Sequence, residues 1–398
     1  MPSAPLSSVS RDPRNGRRSG RALVRLGAGI PVLALSVLVP AAAASAAPTT
    51  VYVAHNGGAD SSTCGTSSHP CRTISRGVIN ADPGDELHVA SGTYHEQVVV
   101  PKRLDVDGSD AVIDASGLSS GSGQTMNAAA VLMTSGASGG SIAGFTVRGA
   151  FGEGILVLNA HGVRVHDNTV TGNDRGTPQN TQYFECQAQG QVPGDCGEGV
   201  HLMSATDSTV ANNVVTNNSG GVLVTDEFGP GARNTIVGNV IRSNTTDCGI
   251  TLPSHNQQAL TSGGARRPAL GGVYDNLVQN NTVVGNGLQG EGAGVLMAAA
   301  GPGMASYNNR VIGNRISGNS MAGVTIHSHT PNQDVSGNVI RNNNIGRNNL
   351  TGDPDAGITK TTGILIFSAV VPQHEIVSGN NIHDNQIAIF KSSNVTLN

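Results

Sequence analysis

Tryptophan is missing from this 398-residue chain, and tyrosine and phenylalanine together number only 11. Large rings fill broad cores and stack on sugar faces, so a wide aromatic platform is excluded and the core is expected to be narrow and aliphatic. Lysine is nearly as scarce, with Lys102, Lys360 and Lys391 the whole supply. Setting aside residues 1–46, which hold six Arg and one Asp, 17 basic residues face 26 acidic ones, a net charge of −9. Binding to phosphates depends on Lys and Arg. That balance argues against nucleic acid and against an anionic membrane surface as partners.

An uncharged run extends from Leu26 to Ala44. Arg11, Arg14, Arg17, Arg18, Arg21 and Arg25 precede it and Ala44-Ser45-Ala46 closes it, which reads as a secretory signal peptide over 1–46. A membrane anchor fits less well, because the run is rich in Ala and Gly and ends on small residues. The Arg17-Arg18 pair hints at twin-arginine export, but the apolar residues expected directly after it are absent. Secretion permits disulfides. Cys64 and Cys71 bracket one short loop and Cys186 and Cys196 another, so these are the economical pairings; Cys248 is then expected to be a small buried residue.

What the chain has in abundance is asparagine at a fixed interval. Pairs five apart fall at Asn168/Asn173, Asn213/Asn218, Asn239/Asn244, Asn281/Asn286, Asn314/Asn319, Asn338/Asn343 and Asn380/Asn385, each with Val or Ile three before and two after the first Asn. Such repetition marks a solenoid. Strands led by Gly154, Gly199, Gly221, Gly249, Gly294, Gly323 and Gly363 follow the pairs, and the shortest unit is about 22 residues, enough for three strands and three turns. The asparagines are expected to stack as structural ladders at the turns. Extra residues appear near 174–197, 255–275 and 341–362, all beside the Gly-led strand, where they could wall a groove.

Residues 47–118 look like a cap and first coils, ahead of repeats over 119–398. R-T-I-S-R-G-V-I-N-A at 72–81 has helical apolar spacing and D-P-G-D stops it; an amphipathic helix there would cover the open end of a solenoid. The run T-I-S-R-G-V-I-N-A-D-P-G-D-E-L-H-V-A-S-G-T-Y-H-E-Q-V-V-V resembles the opening of pectin-lyase-like right-handed parallel β-helix proteins, a group that includes pectin esterases, lyases and NosD-like repeat proteins. The resemblance implies an all-β right-handed parallel β-helix of about ten coils. It does not name an activity: the N-T-D…D-D…G-H-G series of polygalacturonases, the paired Asp with downstream Arg of pectin esterases and the D-P-H-D of alginate epimerases are absent.

Aligning the Gly-led strands sets the residues two and four after Gly outward. The first column is Leu156, His201, Leu223, Thr251, Leu296, Thr325 and Leu365; the second is Leu158, Met203, Thr225, Pro253, Ala298, His327 and Phe367. The turn that follows adds Asp226, Glu227, His255 and His329. Among these, Asp226, Glu227 and His255 are the acid/base candidates, since a carboxylate beside a histidine tunes it for proton transfer. Glu198, His201, Thr225, Thr251, His327 and His329 line the same face, with Tyr183 and Phe228 as small stacking surfaces. The alternatives are a divalent ion held by His255, His329 and Asp226, or a set of solvated polar turns. The sequence thus suggests a secreted monomer acting on a carbohydrate polymer by lyase or hydrolase chemistry, or a non-catalytic NosD-like repeat protein binding a carbohydrate, protein or metal. A divalent cation such as calcium is compatible with either and required by neither.

Overall fold

The computed structural model describes residues 47–118, 129–173 and 197–398. The export signal, the Cys186–Cys196 pairing, Tyr183 and most of the first insertion lie outside the described residues. Among these residues no helix is long and apolar enough to cross a membrane.

Val and Ile alternate with polar residues in short runs, and each run pairs in parallel with its equivalent one coil away. One column stacks Arg164–His166, Thr209–Ala211, Thr235–Val237, Leu277–Gln279 and Arg310–Ile312. A second stacks Thr169–Thr171, Val214–Thr216, Val240–Arg242, Thr282–Val284 and Arg315–Ser317. The third is a ten-stranded sheet running from Val98–Val100 to Ile387–Lys391, which includes Glu198–Met203, Gly220–Thr225, Ile250–Ser254, Val295–Ala299, Val324–Ser328 and Thr362–Ser368. Inward residues of all three columns, such as Val165, Val170 and Val200, fill one continuous core and are fully buried. This is a right-handed parallel β-helix with a ten-stranded face. On this face the shortest step is the 22 residues from Val200 to its register partner Val222, and its other coils are longer because their turns carry extra residues.

Three asparagine ladders hold the turns, one more than the pairs in sequence suggest. In the first, the Nδ2 groups of Asn213, Asn239, Asn281, Asn314 and Asn343 each donate to the Oδ1 of the next rung at 2.9–3.0 Å. Asn173, Asn218, Asn244, Asn286, Asn319 and Asn348 form the second. Asn234, Asn276, Asn309 and Asn338 form the third, entered at Ser208 and closed at Glu375. The pair equivalent to Asn314/Asn319 is therefore Asn343/Asn348, and Asn338 belongs to the third ladder; the Asn342-Asn343-Asn344 run hides this shift. A left-handed residue precedes many rungs, for example Asn212 at φ 56° and Asn280 at φ 55°, because the corner must turn tightly while the Asn side chain points inward.

The glycines that lead the face strands are needed for close approach. A Cβ on Gly221 would lie 2.1 Å from the carbonyl oxygen of Gly249 and 2.5 Å from Ile241 Cγ2. At the other end, the helix Ile74–Asn80 is capped by Thr73, whose side chain accepts from the Arg76 amide, and buries Ile74, Gly77 and Val78 against the first strands. Cys64 and Cys71 form a disulfide beside it, and Asn80 Nδ2 donates to the Cys64 carbonyl at 2.9 Å.

Candidate functional site

The ten-stranded face has the two outward columns expected from the Gly alignment. His201 is in register with Leu223 and Met203 with Thr225, Pro253 with Ala298, Ala298 with His327, and His327 with Phe367. The difference lies in exposure. Instead of an open wall, Glu198, His201, Thr225, Asp226 and Thr251 are at most 1 % exposed and His255 only 3 %. Leu132, Leu156 and Met203 form an apolar cluster on this outward side.

Within this covered face a chain of polar groups links four successive coils. Glu153 Oε1 pairs with His201 Nδ1 at 3.0 Å, and His201 Nε2 with Thr225 Oγ1 at 2.8 Å. The Thr225 hydroxyl donates to Glu227 Oε2. Glu227 Oε1 then meets His255 Nδ1 at 2.8 Å. Burial alone would raise the Glu227 carboxyl, but the hydrogen bond and charge of His255, the charge of His201 and the Thr225 hydroxyl outweigh it and bring it down to about 2. With Nδ1–H donating to an ionised carboxylate, Nε2 becomes the basic nitrogen of His255. The dyad thus has the pairing of a proton-transfer couple, with the His255 side chain buried beneath the face. Glu153 was not among the sequence candidates, although it stands directly before Gly154 as Glu198 stands before Gly199, so the column alignment could have shown it.

Asp226 has a different occupation. Its Oδ1 accepts from the amides of His255 and Asn256 at 2.6 and 3.1 Å, and its Oδ2 from Ser254 Oγ and the Gly272 amide at 2.9 and 2.6 Å. Burial first, then the negative charge of Glu227, raise its pKa to about 6. With all four donors directed at it, Asp226 clamps both ends of the insertion 255–275 rather than offering a proton acceptor to a ligand. That insertion packs over a small sheet built from Gly231–Ala232, Val273–Tyr274 and Ser306–Tyr307. Tyr274 and Tyr307 stack there at 5.0 Å under Arg266, so Tyr274 is occupied by protein. Phe228, by contrast, is 49 % exposed.

His327 and His329 do not join His255. The set of His255, His329 and Asp226 considered for a divalent ion is not brought together; His329 instead faces His327 and Asp355. His327 Nε2 lies 3.0 Å from Asp353 Oδ2, and both His327 Nδ1 and His329 Nε2 lie 3.5 Å from Asp355 Oδ2. Burial would lower the His327 pKa, but the two carboxylates outweigh it and lift it to about 9. His329 is lowered, first by burial and then by the charge of His327. Asp353 and Asp355 come from the third insertion, 26 or more residues away in sequence, and no sequence spacing links them to the histidines.

A family model described as "Periplasmic copper-binding protein (NosD)" matches residues 138–316. No curated protein matches. Similar solved structures include an alginate lyase from Paenibacillus sp. str. FPU-7, 15 % identical, covering 85 % of this chain and 99 % of the other at a TM-score of 0.45. Pectate lyase Pel9A is 17 % identical, with 88 % and 79 % covered and a TM-score of 0.49. Endopolygalacturonase I from Stereum purpureum is 15 % identical, with 80 % and 89 % covered and a TM-score of 0.45.

Proposed function

We propose that this pectin-lyase-like right-handed parallel β-helix is exported and acts on an extracellular polysaccharide, with Glu227 and His255 as its acid/base couple. The observation that carries the reading is the 2.8 Å contact between the two groups at the end of a relay through Thr225 and His201. Building a wall needs no such relay, because buried ionisable groups cost more than the aliphatic residues used elsewhere on this face. Glu227 fixes the tautomer of His255; His255 Nε2 takes the proton from a sugar carbon, the C–H electron pair forms the new double bond as the neighbouring bond to the glycosidic oxygen breaks, and the departing oxygen takes up a proton. Because Glu227 is already committed to His255 and Thr225, it is not an unshared carboxylate of the kind that hydrolysis commonly pairs across a glycosidic bond, and this favours lyase-type proton abstraction. Asp226 positions the insertion that carries His255.

The matched family's name, a periplasmic copper-binding protein, favours a second reading, in which the same face holds a ligand without transforming it. The mature chain should be incubated with a panel of neutral and uronate polysaccharides, with and without chelator, and its products followed by reducing ends and by unsaturated sugar absorbance. Product from the wild type but not from Glu227→Gln or His255→Ala supports the acid/base couple. Binding without product on every polymer sinks it in favour of the second reading.

A further inference from the structure

We propose that His327, His329 and Asp355 form a binding site for one divalent transition-metal ion of the zinc class. Nothing in the acid/base reading uses these residues; they stand two strands further along the face than His255, about 10 Å away. The ligand atoms of the three residues all lie within 4.8 Å of one another, and the separations of Asp355 Oδ2 from His327 Nδ1 and from His329 Nε2 are both 3.5 Å. A tetrahedral ion with bonds of about 2.0–2.1 Å requires ligand atoms about 3.3 Å apart, so the two nitrogen–oxygen separations need shifts of only a few tenths of an ångström.

The surroundings hold each ligand in place. Asp353 is buried and takes His327 Nε2 at 3.0 Å. It is itself fixed by the Ala356 amide at 2.9 Å and by an antiparallel bridge to Ile358. A carboxylate on the far nitrogen of an imidazole fixes the tautomer and leaves the near nitrogen, Nδ1, as a ligand. The turn bearing His329 is held by Gln333 Oε1, which accepts from Ser328 Oγ and from the amides of His329 and Thr330 at 2.8–2.9 Å. Phe367 lies 5.9 and 5.7 Å from the two histidine rings and supplies an apolar flank. The other side is open: the His329 and Asp355 side chains are 35 % and 53 % exposed. Three protein ligands with an open fourth position, two of them imidazole, suit zinc and its neighbours over calcium or magnesium, which take oxygen ligands.

The competing arrangement is metal-free, with His327 doubly protonated between Asp353 and Asp355. Calorimetric titration of the chelator-treated mature chain with Zn(II) separates the two. The expected result is one ion per chain, weakened at least tenfold in both His329→Ala and Asp355→Asn, with Co(II) giving the visible absorption of a tetrahedral site and Ca(II) failing to compete. These two ligands are partly exposed, so their variants should keep the wild-type melting curve, which checks that the loss is local. No uptake of Zn(II), or uptake that neither variant alters, overturns the proposal. Polysaccharide turnover does not enter this readout, so the two readings stand or fall separately.

Discussion

At the scale of single residues, two adjacent carboxylates receive opposite treatment from one turn. Asp226 collects three backbone amides and a hydroxyl, whereas Glu227 collects a histidine and a threonine. The former is the pattern of a clamp and the latter that of a proton-transfer couple. Glu227→Gln should lower turnover about 100-fold or more, the usual share of acid/base catalysis, with little change in melting temperature. Asp226→Asn points an amide donor at donors and should cost about 3 kcal/mol of stability, seen as earlier thermal unfolding and earlier proteolysis within 255–275. If the two variants exchanged these phenotypes, the assignment of roles would fail. The sequence offered both carboxylates as acid/base candidates but not the division of roles, since Asp-Glu is written the same way whichever of them turns inward.

At the scale of elements, the strand columns were readable because a period of two and a recurrent Asn and Gly each have one physical cause. The alternation fills the core, the Asn satisfies the corner, and the Gly admits the neighbouring coil. What hid the third ladder was chemistry that departs from asparagine at its ends, Ser208 and Glu375. An interior rung is costly to remove. Asn281 accepts from the amide and Nδ2 of Asn239 and donates to Ile236 O and Asn314 Oδ1, so Asn281→Ala should cost about 2–3 kcal/mol in denaturant melts from the groups it leaves unpaired. Gly221→Ala should cost about 1–3 kcal/mol by overpacking, because its new carbon meets a backbone oxygen at 2.1 Å. An unchanged midpoint for either would contradict the packing described.

At the scale of the whole molecule, pH acts through the last rung of the third ladder. Glu375 is fully buried. Burial, resisted by the Asn338 amide and side chain, raises its carboxyl from 4.5 to about 9. A raised folded-state value means the protonated acid is the stabilising form: its contribution is complete below 4.5 and is lost as pH rises through about 9. Glu375→Gln keeps the shape and removes the titration, so its melting temperature should exceed that of the wild type by more at pH 9 than at pH 5. A constant difference across that range would refute the buried acid. The functional sites belong to this scale as well. Glu153 reaches His201 from 48 residues away and Asp353 reaches His327 from 26, and only coil stacking makes them neighbours, which is why the sequence revealed the face but not the partners assembled on it.

The one-way hand-off of Nδ2 to Oδ1 along each ladder also sets how damage spreads. Asn213 and Asn239, 26 residues apart, share a rung, so removing the second after the first takes away bonds already broken, and the combined loss should be less than additive. Asn281 and Asn286 are neighbours in sequence but stand on different ladders, with partners Asn314 and Asn319, and their losses should simply add. In this chain energetic coupling is measured in coils along the axis, and a double-mutant cycle would read it as a ruler reads length.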